Sequence, residues 1–152
     1  MSSEGLIQPP LLNEQDRLTW LLRITALLSG LLLLALLVTA RSLTPSPTGS
    51  GTHQQLGLPP CTAVLLLDRP CPACGMTTSW AHTMRGNLVA AAGANSGGML
   101  LALIALAFLP ASCYFFLRGK ATRGHWFSLV LAICLITALS VALIQWVYRL
   151  VT

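Results

Sequence analysis

Three stretches of this chain are long enough and apolar enough to dictate its environment. Residues 24–40, "ITALLSGLLLLALLVTA", carry no charge, and the run becomes a full span when Trp20 to Arg23 is added with Arg23 snorkelling to the interface. Residues 96–117, "SGGMLLALIALAFLPASCYFFL", and 126–148, "WFSLVLAICLITALSVALIQWVY", are also uncharged. About 20 apolar residues carry a helix across a hydrocarbon core of about 30 Å. In lipid the backbone must satisfy its own hydrogen bonds, so such segments are helices. A soluble helical bundle would need polar faces on these helices, and they have none. Only 9% of the residues are charged, against about a quarter in soluble domains. The expected fold is an all-α membrane protein with transmembrane helices at 18–40, 96–117 and 126–148. A short amphipathic helix follows a Cys-x-x-Cys turn.

Trp20, Trp126, Trp146 and Tyr148 stand at the segment ends, the depth that amphipathic rings prefer. "VTA" at 38–40 resembles a signal-peptidase site. Glu4, Glu14 and Asp16 precede a run longer than a signal core, so an uncleaved anchor is expected. The connection 118–125, "RGKATRGH", is basic and has no acid; short Lys/Arg-rich loops stay in the cytoplasm. That places the N-terminal segment 1–17 in the cytoplasm as well, with 41–95 and the tail 149–152 facing outward. The net charge of +5 fits this topology and attraction to anionic headgroups. The bilayer is the expected partner, with a membrane protein or a second copy as a further one; no aromatic–basic patch calls for nucleic acid.

The outward stretch divides in two. Residues 41–55, "RSLTPSPTGSGTHQQ", read as a flexible linker. Residues 56–95 form the cysteine module. Pro59, Pro60, Pro70 and Pro72 interrupt helix before Gly75, and the apolar run 63–67 is too short to span and suits the membrane surface. After Gly75, Met76, Trp80, Met84 and Leu88 recur every four residues, continued by Ala91 and Ala92. This is amphipathic-helix spacing, with Thr77 or Thr78 as the cap. Ala90, Ala94, Gly98 and Ala102 lay small residues along a close-packing face, and Pro110 is expected to kink the second span. Cys113 and Cys134 lie within spans and read as small buried apolar groups.

Cys61, Cys71 and Cys74 carry the chemistry, and three uses compete. A Cys-x-x-Cys at a helix start has its thiolate stabilised by free N–H groups, which suits thiol–disulfide exchange, with Cys71 attacking, Cys74 resolving and Cys61 relaying. No thioredoxin-like framework surrounds the pair. "CPACG" is also a zinc knuckle, and zinc asks for four ligands: Cys61, Cys71, Cys74 and His82, with His53 as a substitute for the histidine. The third use is structural, a disulfide or a rigid turn, in a scaffold or partner subunit. His82 alone is more often a helix-face residue than a ligand, and Asp68 and Arg69 are more often solvated or paired than catalytic. No carboxylate pair, Ser–His–Asp set or phosphate-binding glycine loop supports hydrolysis or nucleotide chemistry.

"CTAVLLLDRPCPACGMTTSWAHTMRGNLVAAAGAN" (61–95) resembles a bacterial membrane family known as domain of unknown function family 2752. The matching positions are Cys61, then Cys71, Pro72, Cys74, Gly75 and Thr77, then Gly86, Leu88, Ala91 or Ala92, and Asn95. Thr78 stands where members usually carry Arg, and Ser96 where they carry Pro. The resemblance implies a small integral membrane protein with an ordered cysteine module, and it implies no activity.

Overall fold

The computed structural model describes residues 14–118 and 124–151. Its helices are α1 (Glu14–Ser42), a 3-10 helix (Thr52–Leu56), α2 (Thr62–Leu67), α3 (Met76–Thr83), α4 (Leu88–Arg118) and α5 (Gly124–Val151); the described residues contain no strand. Three segments are long and apolar enough to cross a membrane, Arg17–Ser42, Leu88–Arg118 and Ser128–Val151. Lys120 and Arg123 of the expected basic connection lie outside the described residues, as does the chain before residue 14.

α4 is the central helix. α1, α3 and α5 each pack on it, α3 also packs on α1, and among the described residues α1 and α5 make no contact with each other. The packing inverts that of a soluble protein. The core is mainly small residues, Ala81, Ala91, Ala94, Ala102, Ala105, Ala138 and Ala142, while Leu32, Ile133, Ile136 and Ile144 point outward. Lipid tails are as apolar as leucine, so helices associate where small side chains let backbones approach closely. Gly97 is such a point: a Cβ there would run into the Ala142 side chain and the Ala138 carbonyl of α5. Gly30 of α1 lies equally close to Ser112 of α4. The expected small-residue face is buried at Ala94, Gly98 and Ala102 and half-buried at Ala90.

Three local expectations need correction. The apolar pattern from Met76 to Ala92 is not one helix. α3 ends at Thr83, the chain turns through Gly86 (φ 75°), and α4 starts afresh with Asn87 Oδ1 accepting from the Ala90 amide at 3.2 Å, an N-cap bond. The break inside α4 is at Asn95 (φ −166°, ψ 107°), whereas Pro110 sits within the helix and leaves it unbroken. From residue 96 to 118 the helix is about 35 Å long, longer than a hydrocarbon core of about 30 Å. Cys113 is exposed on the helix surface and Cys134 half-buried, so Cys113 is not a buried group.

Residues 41–55, expected as a flexible linker, fold back over the module. Gln55 bonds both the amide and the carbonyl of Thr44 (3.0 and 2.6 Å). Thr52 Oγ1 accepts from the Ser46 amide at 2.9 Å and shares a 2.8 Å bond with Thr78 Oγ1. Thr52 and Thr78 are both fully buried. A Ser/Thr/Pro/Gly composition does not record such tertiary bonds.

Candidate functional site: a three-cysteine cluster on a helix break

The cysteine turn is built by local geometry. Pro70 and Pro72 restrict φ on either side of Cys71. The Cys74 amide closes on the Cys71 carbonyl at 3.0 Å, and the Met76 amide on the Ala73 carbonyl at 3.1 Å. Gly75 then takes a left-handed conformation (φ 84°) and heads α3 without any side-chain cap; the Ser79 amide bonds its carbonyl at 2.8 Å. Neither Thr77 nor Thr78 is the cap. Gly75 is required twice over, because its φ favours glycine and a Cβ would collide with the Ala94 carbonyl and come within 2.7 Å of the Gly49 carbonyl.

Ala94 belongs to the break in α4, which is the foundation of the site. A broken helix releases amides and carbonyls that need partners. These partners come from α3, from α5 and from Asn95 of α4 itself. Asn95, 2% exposed, accepts from the Gly98 amide at 2.7 Å, capping the membrane-spanning half of α4. Its Nδ2 donates to the carbonyls of Pro72 and Cys74, both at 3.1 Å, fastening the cysteine turn to the break. Ser79 Oγ of α3 donates to the Asn95 carbonyl at 2.8 Å. From α5, Gln145 spans the break, accepting from the Ser96 amide at 2.7 Å and donating to the Ala92 carbonyl at 3.0 Å. Arg149 Nη2 donates to the Gly93 and Ala94 carbonyls at 2.7 and 2.8 Å, a cation on the carbonyl end of a helix. Trp146 Nε1 donates to the Pro70 carbonyl at 2.7 Å.

On this base the thiols of Cys61, Cys71 and Cys74 converge, with all three sulfurs within 4.8 Å of one another. Cys71 Sγ is 3.5 Å from Cys61 Sγ and 3.4 Å from Cys74 Sγ, and the Cys71 amide donates to Cys74 Sγ at 3.3 Å. All three residues are partly buried, and none is in a disulfide. They line a cavity of about 500 Å³ together with His53, Gln54 and Thr77. His82 lines a different recess, beside Pro45 to Gly49, and is not among the converging ligands. His53 Nε2 lies 3.2 Å from the Pro59 carbonyl.

The thiols are electrostatically unequal. The Val64 amide, followed by the Cys71 thiol, pulls Cys61 from 9.0 down to about 7. Burial, followed by the Cys71 thiol, pushes Cys74 up to about 12. The sequence singled out Cys71 as the attacking thiol, but the lowered one is Cys61. It lies outside the Cys-x-x-Cys, at the start of α2, where the amide of Val64 three residues on faces it. Asp68 and Arg69 are exposed and are not in this cluster.

Sequence comparison agrees with the motif reading. Residues 61–109 match a family model described as "Protein of unknown function (DUF2752)". The matched stretch contains the three cysteines, Gly75, Asn95 and most of α4. No curated protein and no solved structure matches the chain.

Proposed function

We propose that this protein is a membrane scaffold or partner subunit whose cysteine module is a metal clamp holding a soft divalent ion, zinc in the first instance. The observation that carries this reading is the convergence of three thiols within 4.8 Å from two separate segments. Zn–S bonds of about 2.3 Å in a tetrahedron put sulfurs about 3.8 Å apart, and the two shortest separations here, 3.4 and 3.5 Å, need little movement to reach it. Cys61, Cys71 and Cys74 would supply three ligands. The fourth position opens on the cavity, whose wall includes His53. A clamp of this kind ties the stretch from Cys61 to Cys74 into one unit and presents it at the membrane surface for a partner. The basic 118–125 connection supports placing this end away from the cytoplasm. Arg85 and Arg149, although on the cysteine end, are spent on backbone carbonyls and are poor topology signals.

Anaerobic purification in mild detergent followed by metal analysis tests the reading. About one zinc per chain, lost in Cys71→Ser, supports it. A metal-free protein with three freely alkylated thiols overturns it.

A thiol–disulfide role has its own support in the 3.4 Å Cys71–Cys74 separation and the lowered Cys61 thiol. In that chemistry a Cys61 thiolate attacks a partner's disulfide and one partner thiol leaves. Cys71 then displaces the second, so a Cys61–Cys71 disulfide forms as the partner gains two electrons and two protons. A Cys61–Cys71 or Cys71–Cys74 disulfide that cycles near the potential of its compartment, in metal-free protein, would favour this role over the clamp.

A further inference from the structure

α2, "TAVLLL", is the one apolar helix that the bundle does not use. It makes no packing contact with any other helix among the described residues. Val64, Leu65, Leu66 and Leu67 are 41%, 65%, 76% and 70% exposed. Covering aliphatic side chains of this size is strongly favourable, and a helix this short has little stability of its own. Leaving three leucines in water would therefore oppose the helix that presents them.

The surroundings of α2 identify what covers it. Its first end follows Cys61, inside the thiol cluster. Asp68, left-handed at φ 51°, terminates it. Two residues later the Pro70 carbonyl is held by Trp146 Nε1. The Asp68 end of α2 is therefore held beside the last turns of α5. There Val147, Tyr148 and Val151 are 52%, 67% and 83% exposed. These side chains end the apolar outer surface of α5, and the Trp146–Pro70 bond brings the exposed leucines of α2 to the same end of the molecule. The exposed pair Asp68 and Arg69 gives the segment a polar edge, as expected of an element lying in the headgroup boundary.

We propose that α2 is a monotopic membrane element, with Leu65, Leu66 and Leu67 seated among the acyl chains at the boundary of the bilayer that the three long helices cross. Because Cys61 immediately precedes the helix, lipid contact also fixes the third thiol beside the other two. The proposal rests on exposure and on attachment to the end of α5, and it holds whether or not the cluster carries a metal.

The test places the photoreactive amino acid p-benzoylphenylalanine at Leu66 of the full chain in phospholipid nanodiscs and reads products by intact mass. The same probe at lipid-facing Ile136 and at exposed Thr48 provides the controls. A lipid adduct at Leu66 about tenfold above the Thr48 background, near the Ile136 yield, is expected for an inserted helix. Background yield, or cross-linking to a second copy or another protein instead of lipid, overturns the proposal. Should the Leu66 variant fail to insert, the probe at Leu67 gives the same reading. Zinc content is measured on the same samples, so loss of the clamp and loss of lipid contact are seen separately.

Discussion

The two ends of α4 are held by different physics. Along its long apolar stretch the helix is gripped by absence: Gly97 leaves room for Ala138 and Ala142 of α5, Gly30 of α1 sits against Ser112, and Ala102 and Ala105 are buried. At the cysteine end it is gripped by hydrogen bonds. Asn95, Gln145, Arg149 and Ser79 each take groups that the break sets free. Small-residue packing tolerates sliding and swelling of shape, whereas a network of buried polar groups loses heavily when one member is left without its partner. The thiol cluster therefore stands on the half of the protein that is least forgiving of change.

Substitutions on the two sides should separate these modes. Gly75→Ala carries the largest expected effect, because a left-handed alanine costs about 1–3 kcal/mol and the forced contact with the Ala94 and Gly49 carbonyls about as much again. Thermal unfolding in detergent should show a loss of about 2–6 kcal/mol, and thiol protection should disappear with it. An unchanged melting temperature would break the idea that the turn sits on the break. Asn95→Ala removes three side-chain hydrogen bonds and strands buried partners, for an expected loss of about 2–4 kcal/mol. Its sharper signature is faster alkylation of all three clustered thiols.

Gly97→Val on the membrane side should cost about 1–3 kcal/mol by overpacking against α5. Thiol reactivity should stay at the wild-type level at temperatures where the variant is folded. If Gly97→Val exposes the thiols as strongly as Asn95→Ala does, the two ends are one cooperative unit and the contrast fails.

The smallest effect is that of a single proton. In metal-free protein the alkylation rate of Cys61 should rise with pH through a midpoint near 7, and Cys74 should stay slow until far more alkaline pH. The sign for stability follows. Cys61 is an acid with a folded pKa depressed below 9.0, so its contribution is present above pH 9 and lost as pH falls through about 7. Cys74 is raised, so its contribution is present below pH 9 and lost as pH climbs towards about 12. A Cys61 midpoint near 9 would remove the asymmetry.

The spans were legible because length and lack of charge are written into 24–40, 96–117 and 126–148 directly. The Cys71–Cys74 turn was legible from its spacing and prolines, and the family match over 61–109 follows the same residues. The break at Asn95 was not. "AAAGANSGGML" is mostly small residues with no proline, and the bonds that sustain the break come largely from Gln145 and Arg149, some 50 residues away. Proline at 110 gave a louder local signal where the helix stays intact. For the same reason the folded 41–55 segment was invisible, since Thr52 finds its buried partner Thr78 only in three dimensions. His53 and His82 could not be ranked from spacing, and it is the fold that sets the former on the cysteine cavity wall and the latter elsewhere.

The Trp146–Pro70 bond joins residues 76 apart in the chain. At about 5–20 residues per second of synthesis, Pro70 and the cysteines beside it leave the ribosome about 4–15 s before the indole that will hold them. Through that interval Gln145 and Arg149 are also missing, so the platform beneath the thiols is unfinished. The newborn chain thus passes through a stage in which its most oxidisable residues are also its least sheltered, and the last turns of α5 bring that stage to a close.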